Sequence, residues 1–466
     1  MKPLRLLLAV AVMLGLAGAI WYSEKNPPKP KDEIKTTKII SVGEDQIRRV
    51  RITRSAGDTL AMERGEDSKW RLTEPKTYKA EEYSANNVAN SLASLNAEQL
   101  VAEKNTDWAS FGLESPKIRV SVGLKDGKEL KLALGDEAPT SSAIYARLEG
   151  DDRLFTIGSY VKSSLDKSPA DLRDKRILPF DSDKVSRLTV TTKERTLEFG
   201  KAGTAWQIVK PRPLRADNYS VDDLVRTVRD ANFESVLDES GKPPAKYSFA
   251  SPYAVFEVVD PGGVHTLTVG RHEEKDKETK DKAAKDKAAK KDTKAAGEKK
   301  HTYFAKTSAM PGVFQVSVAM SEALNKKLDD FRNKKLFEFA WSDPQKLEVR
   351  DGDLRMVIEK KADKWLRADA GSKELPADKV QALIDNLRNM TSKAFTADDA
   401  SAQARYGLEK PVAEAKVTSD EGKRVERVFF AAASDRHYAA REKEPATYEI
   451  DKNAVADFQR SLAALK

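Results

Sequence analysis

Alternating apolar and polar positions mark short strands along most of the chain. Residues 50–53 and 118–122 alternate strictly, which is typical of strands that bury one face. Asp126-Gly127 follows the second run and favours a tight hairpin turn before another alternating run. The same order of runs returns from residue 187 and again from residue 346. The pattern predicts three copies of a mostly antiparallel sheet.

Each copy also contains one helical stripe at a fixed distance from a tryptophan. Trp70, Trp206 and Trp365 are each followed, at positions +15, +18, +22 and +25, by apolar residues with the 3.6-residue period of a helix. A helix of this length is marginal in water unless its apolar face is packed, so we interpret the stripe as core. The twelve stripe residues are Ala85, Val88, Leu92, Leu95, Val221, Leu224, Val228, Ala231, Val380, Leu383, Leu387 and Met390.

An aromatic residue 41 positions after each tryptophan opens a short motif. The three motifs are FGLESP at residues 111–116, YSFASP at 247–252 and YGLEKP at 406–411. A repeat of this length indicates tandem domains rather than a solenoid, because solenoid repeats are far shorter. We therefore predict three α+β modules, each a mostly antiparallel sheet with a packed helix, at residues 39–180, 181–339 and 340–466.

The amino terminus predicts a membrane segment. Lys2 and Arg5 precede an uncharged run at residues 6–22, which as a helix would rise about 25 Å, close to the thickness of a bilayer core. We expect residues 1–23 to be an uncleaved transmembrane anchor, although Ala17-Gly18-Ala19 leaves a cleaved signal as the alternative. Residues 24–38 form a Pro- and Lys-rich linker. The expected location is the inner membrane, with a single pass and with the modules in the periplasm.

A basic segment ends the first two modules and is missing from the third. The two segments are residues 172–178 and 331–337, and Arg173 and Arg332 each stand 33 residues before the next tryptophan. We interpret them as connectors that dock one module on the next, with an anion site as the alternative. The candidate inter-module contacts are Arg173, Lys175, Arg176, Arg332, Lys334 and Lys335.

A lysine-rich insertion at residues 272–300 interrupts the second module. It holds 11 Lys against 8 Asp plus Glu and has no apolar face, so we interpret it as a solvated loop. No aromatic residues interleave with the lysines, and the rest of the chain is only weakly basic. We therefore expect no nucleic-acid partner.

No motif in the chain predicts a reaction. It lacks the phosphate-binding, zinc-protease and nucleophile-elbow patterns, and with no cysteine it can form neither disulfides nor Cys-based metal sites. Asp181 and Asp183 could pair for acid-base chemistry, but their position favours a capping role. We expect no enzymatic activity, no catalytic residue, no cofactor and no metal.

The repeated tryptophan strand, helix, aromatic-Gly-Leu-x-x-Pro motif and basic end resemble the bacterial domain-of-unknown-function family 4340. The resemblance implies an envelope protein associated with ABC-transporter or gliding-motility-type components. The expected function is a non-enzymatic, membrane-anchored envelope protein that binds or scaffolds a partner. The alternative is an envelope hydrolase with a site between modules.

Overall fold

The computed structural model describes residues 37–139, 142–239, 245–273, 301–339 and 344–466. It contains three nine-stranded sheets, and every pairing between neighbouring strands is antiparallel. The chain divides into two compact units, one ending at Lys175 and the other spanning Arg176–Lys466. The prediction of tandem α+β sheet modules is therefore confirmed.

The first unit holds the first sheet, with the strand order β4-β3-β2-β1-β6-β7-β8-β9-β5. Its strands are β1 Ile47–Arg54, β2 Thr59–Arg64, β3 Trp70–Glu74, β4 Tyr78–Lys79, β5 Gln99–Ala102, β6 Ile118–Leu124, β7 Glu129–Glu137, β8 Ala143–Leu148 and β9 Leu154–Gly158. Its helices are α1 Glu82–Ala93, α2 Ser159–Leu165 and α3 Pro169–Leu172.

The second unit holds the other two sheets, whose strand orders repeat that of the first. The second sheet contains β10 Arg187–Thr192, β11 Thr196–Ala202, β12 Ala205–Lys210, β13 Leu214–Arg215, β14 Phe233–Asp238, β15 Ala254–Asp260, β16 Gly263–Glu273, β17 His301–Thr307 and β18 Val313–Val316, with α4 Asn218–Arg229 and α5 Val318–Ala323. The third contains β19 Lys346–Asp351, β20 Leu354–Lys361, β21 Lys364–Arg367, β22 Lys373–Leu375, β23 Ser392–Ala397, β24 Ala413–Ser419, β25 Arg424–Ala433, β26 Arg436–Arg441 and β27 Thr447–Ile450, with α6 Ala377–Arg388 and α7 Lys452–Ala463.

The predicted stripe packs the main helix of each module against one face of its sheet. Eleven stripe residues are buried in the three cores, and Ala231 is partly buried against the second core. The helices begin at caps: the side chain of Glu81 accepts hydrogen bonds from the first turn of α1, and that of Asp217 does the same for α4. The interpretation of the stripe as core is confirmed.

The three tryptophans occupy equivalent places. Trp70, Trp206 and Trp365 are 1%, 3% and 3% exposed. Each lies directly opposite a cationic residue on the neighbouring strand, and the charged end of that residue lies over the indole ring. The indole N–H of Trp70 donates to Asn86 (2.8 Å) and that of Trp206 to Asp222 (2.7 Å), and both acceptors lie one helical turn inside the main helix. The repeat therefore extends to side-chain contacts.

The aromatic motif packs on the sheet face opposite the main helix. In each module the aromatic ring that opens the motif contacts an aromatic residue of β8, β17 or β26. The ring centroids are 4.8, 5.0 and 4.7 Å apart. The residue after this ring has a positive φ: +67° at Gly112, +59° at Ser248 and +76° at Gly407. We name this side of each sheet its outer face.

Each module also begins with an apolar pair that enters its own core. These pairs are Ile39-Ile40, Ile177-Leu178 and Leu336-Phe337. Residues 176–180, which the sequence placed at the end of the first module, belong to the second unit, which begins at Arg176. The second half of each basic segment therefore opens the following module.

Two predictions concern residues that are outside the described ranges. The membrane run at 6–22 is among these residues, as is almost all of the insertion at 272–300. Within the described ranges, no helix is both long and apolar enough to cross a membrane.

Candidate functional site

The outer face of the first sheet carries a groove of about 680 Å³. Its floor consists of outward-facing residues from β1, β6, β7 and β8, because successive side chains of a strand point to opposite faces. One wall is formed by the loop at residues 106–116, which includes the aromatic motif. We name this feature the first-sheet groove.

Four residues form one row across the floor. Thr53 pairs with Arg119, Arg119 with Ala133, and Ala133 with Arg147. Neighbouring strands lie about 4.8 Å apart, so the two arginines start roughly 10 Å apart with a single methyl group between them. The row therefore holds two long cationic side chains beside an open space.

The wall fixes the position of one of these arginines. The guanidinium of Arg147 lies 3.9 Å from the ring centroid of Trp108, and its Nε is buried with no hydrogen-bond partner among the described residues. Asp107 also lines the groove, but its carboxylate accepts hydrogen bonds from the Oγ (2.5 Å) and N–H (3.1 Å) of Ser110. The bond from the hydroxyl has the larger effect, and together the two bonds hold the pKa of Asp107 below its usual range.

The positive charge of the row is not neutralised. Lys131 lies 3.6 Å from Glu149, and Arg51 pairs with Glu74. Arg119 makes only a long hydrogen bond, 3.5 Å, to the carbonyl oxygen of Glu114. Among the described residues, neither Arg119 nor Arg147 has a carboxylate oxygen within 4.0 Å.

In the third sheet, the charges of the same row are paired and the space above the row is filled. At the positions of Thr53, Arg119, Ala133 and Arg147 it carries Arg350, Glu414, Phe429 and Ala440, which pair in the same register. Glu414 lies 3.1 Å from Arg427 and 3.8 Å from Arg350, and in the neighbouring row Lys416 lies 3.0 Å from Glu348. A phenyl ring, that of Phe429, replaces the methyl group of Ala133 and fills the space above this row.

The second sheet is intermediate. Its row reads Thr191, Val255, Thr268 and Lys306. Lys306 lies 5.6 Å from the ring of Phe249 in the aromatic motif. Only one cation remains in this row, so the paired arginines are specific to the first sheet.

The predicted connector contacts divide between the two units. In the first unit, the guanidinium of Arg173 lies 3.9 Å from the ring centroid of Tyr78, and Lys175 is half-buried. In the second unit, Arg176 is exposed and its backbone pairs with that of Asn232. The first basic segment therefore contributes to both units.

The second connector contributes to the junction between the second and third sheets, inside the second unit. Arg332, with a side chain only 3% exposed, binds both carboxylate oxygens of Asp398, at 2.5 and 3.2 Å, and lies 3.6 Å from the ring centroid of Phe395. Arg212 also reaches Asp398 (2.7 Å). Lys334 and Lys335 have exposed side chains, and their backbone carbonyls accept hydrogen bonds from the N–H of Ser392 and the guanidinium of Arg215. Of the three predicted residues, only Arg332 makes a buried contact.

A second ion network, which the sequence analysis missed, completes this junction. Arg215 lies 2.9 Å from Glu444 and 3.0 Å from Glu338, and its guanidinium donates to the hydroxyl of Tyr448 (3.2 Å). Burial, together with Glu444, raises the pKa of Tyr448 to about 12. A small cavity of about 200 Å³ lies beside these groups. Because the charges pair with each other, the junction is a structural contact.

The residues considered for acid-base chemistry also have structural roles. Asp181 accepts the N–H of Asp183 and caps a short turn, as expected. Asp260 accepts hydrogen bonds from the N–H groups of Asp181 and Gly262, both at 2.7 Å, and lies 2.9 Å from the Nε2 of His265. No group of three or more His, Asp or Glu residues suited to a metal ion occurs in the described ranges.

The sequence analysis missed the first-sheet groove, although the sequence contains the signal. Position 49 after the tryptophan is Arg119 in the first module, Val255 in the second and Glu414 in the third. A comparison of outward-facing positions among the copies would have identified the divergence. The positions at which the three copies agree are core positions, and these report packing.

The comparisons with known proteins identify the family. The model of the domain of unknown function DUF4340 matches residues 20–98, 70–205, 206–282, 293–378 and 370–466. No curated protein and no solved structure matches the chain. Because the matches cover most of the sequence and recur along it, the chain belongs to the DUF4340 family.

Proposed function

We propose that this protein is a non-enzymatic, membrane-anchored envelope protein that binds or scaffolds a partner through the outer face of its first module. The observation that supports the proposal most is the contrast among three copies of one fold. The third sheet neutralises and fills its outer row, whereas the first keeps two arginines without carboxylate partners beside an open groove. Uncompensated charge beside a groove costs stability and is typical of a binding surface.

The second unit supports the scaffolding part of the proposal. The buried ion pair of Arg332 and the partly buried ion pairs of Arg215 hold the second and third sheets against each other. A scaffold needs a rigid body to which its partners attach, and a junction held by paired charges contributes to that rigidity. We further propose residues 6–22 as the anchor in the inner membrane, the periplasm as the location of the modules, and components of ABC-transporter or gliding-type systems as partners.

The alternative of a hydrolase has no specific observation in its favour. The junction cavity is lined by charges that pair with each other, and Asp181, Asp260 and His265 stabilise turns. A proton-transfer residue needs a free position within hydrogen-bond reach of a substrate. Partner binding is therefore the function that the geometry supports best.

Site-specific photo-crosslinking in intact membranes tests the proposal. A photoreactive amino acid at Thr53 lies in the first-sheet groove, and one at Thr191 occupies the same register position in the second sheet and provides a matched control. We expect a discrete adduct from Thr53 and none from Thr191. Equal labelling from both positions, or none from either, would overturn the proposal.

A further inference from the structure

We propose that the first-sheet groove recognises an extended acidic segment of the partner protein, with a carboxylate seated over Ala133 between Arg119 and Arg147. This inference rests on the partner-binding function proposed above and names the chemistry that the partner presents. It is argued from the charge of the row, the space above it and the shape of the groove.

The charge of the row matches a carboxylate. Two guanidiniums present planar, fixed donors that suit planar oxyanions, and neither has a carboxylate partner among the described residues. The outer face of the third sheet already contains a pair of this kind. There Glu414 occupies the position of Arg119, and its carboxylate pairs with the guanidinium of Arg427.

The space above the row fits the same ligand. Ala133 separates the two arginines with one methyl group, whereas Phe429 fills the corresponding place in the third sheet. Glu114 and Glu149 also line the groove, so its net positive charge is small. A strongly charged polyanion would meet these carboxylates, whereas a segment with spaced acidic residues would not.

The shape of the groove favours a segment of chain over a small molecule. The floor crosses four strands, which is roughly 15 Å, and the loop at residues 106–116 supplies one wall. Small-molecule sites enclose most of the ligand, and a floor with one wall does not. An extended segment rises about 3.3 Å per residue, so roughly five residues span this floor and can place one carboxylate between the two arginines.

A titration with a defined peptide tests the inference. The probe is a fluorescein-labelled peptide of alternating glutamate and glycine, the control peptide carries glutamine in place of glutamate, and the receptor is the full-length protein in detergent. We expect fluorescence anisotropy to show saturable binding of the glutamate peptide only, weakening as ionic strength rises. Binding of the glutamine peptide with equal affinity would overturn the proposal.

Two substitutions locate the binding. Arg147→Ala and Ala133→Phe introduce the residues that the third sheet carries at the same positions, and each should weaken the glutamate peptide by about tenfold or more. Arg427→Ala removes a similarly stacked arginine from the third sheet and should leave the affinity unchanged. Circular dichroism verifies that each variant is folded, and if one fails to fold, the other decides. Unchanged binding by a folded Arg147→Ala or Ala133→Phe protein would refute the assignment.

Competition with citrate distinguishes a site for small anions from the proposed site for an acidic segment. If citrate displaces the peptide and binds more tightly than it does, the site is for a small anion and the inference fails. If the peptide does not bind but the Thr53 adduct forms, the acidic recognition is wrong while the partner-binding function stands. Peptide binding without an adduct in membranes contradicts the partner-binding function instead.

Discussion

At the residue scale, one strand position, which is glycine in two of the modules, shows how closely the aromatic motif approaches the sheet. Gly135 and Gly270 occupy the same register position in β7 and β16, and Ala431 is their counterpart in β25. A Cβ on Gly135 would lie 2.1 Å from the carbonyl oxygen of Phe111, and one on Gly270 would lie 1.9 Å from that of Tyr247. The third module accommodates a methyl group here, so the requirement for glycine depends on the approach of the motif and not on the strand.

We expect Gly270→Ala to destabilise the second module by about 3 kcal/mol, because the clash is with backbone and cannot be relieved by a rotamer change. The reverse change in the third module, Ala431→Gly, should cost only about 0.5–1 kcal/mol. Hydrogen exchange of the sheet amides measures the opening free energy of each module separately. Equal costs at the two positions would show that the close approach does not control stability.

Asp260 provides a pH-dependent contribution to the second module. Its carboxylate, 5% exposed, accepts two backbone N–H bonds and contacts His265, and the bond from Asp181 is the leading cause of its lowered pKa. A lowered folded-state pKa stabilises the fold fully above the unfolded-state pKa, near 3.8. This stabilisation is lost as pH falls through the lower folded-state value.

We expect Asp260→Asn to destabilise the second module by about 1.5–3 kcal/mol at pH 7, since the amide cannot accept every bond made by the carboxylate. The difference from the wild type should shrink below pH 3.8 and be smallest under strongly acidic conditions. Hydrogen exchange or urea unfolding at several pH values measures it. A difference that stays constant with pH would contradict an ionised Asp260 in the folded state.

At the element scale, the sequence predicted the elements that bury one face and missed most of the edge strands. The alternating runs at β1, β6 and β7 and the stripe of α1 are regular because each packs against the first core. The edge strands β4 and β13 are only two residues long, and no periodicity can appear over that length. The strand order could not be predicted either, since the pairing of β5 with β9 depends on contacts distant in sequence.

The lysine-rich insertion is flanked by a hairpin. In β16 and β17, His272 pairs with Thr302 and Glu273 with His301, so the described chain on either side is held in register. We expect replacement of residues 274–300 by Asn-Gly to close the hairpin with a two-residue turn and to leave the melting temperature within about 2 °C of the wild type. Differential scanning calorimetry measures this effect. A fall of many degrees would assign the insertion a packing role.

At the scale of the whole molecule, the second connector is the best-defined junction. Its two halves differ in role: Phe331 packs in the second core, while Leu336 and Phe337 pack in the third. Arg332 lies between them with its charge buried against Asp398. The sequence predicted a docking segment from its basic residues, but it could not show that Arg332 is buried while Lys334 and Lys335 are exposed, because the partner carboxylate is 66 residues away.

We expect Arg332→Met to cost about 3–5 kcal/mol, because Asp398 is left buried with a weaker partner, and Asp398→Asn to cost a comparable amount. The double substitution should cost clearly less than the sum of the two, as for residues that contact each other. Urea unfolding measures the coupling, and Lys334→Met serves as the exposed control with little effect. Additive costs would show that the pair does not join the second and third sheets.

The proposed binding surface is the least predictable feature, because it depends on differences among the three copies and not on the repeat. Arg119 and Arg147 occupy outward positions on strands that the sequence located correctly. Their proximity follows from the cross-strand register through Ala133, which only the structure supplies.

One measurement tests the account most directly: the Thr53 photo-adduct of a protein carrying Arg119→Glu, Ala133→Phe and Arg147→Ala. These changes give three of the four row positions the residues of the third sheet. In that sheet Glu414 pairs with Arg427, and Lys131 occupies the position of Arg427 in the first sheet. The variant should therefore fold, as circular dichroism and its unfolding transition will show. We predict a folded, membrane-bound protein with no partner adduct. An adduct of undiminished yield from this folded variant would contradict the conclusion that the first-sheet groove binds the partner.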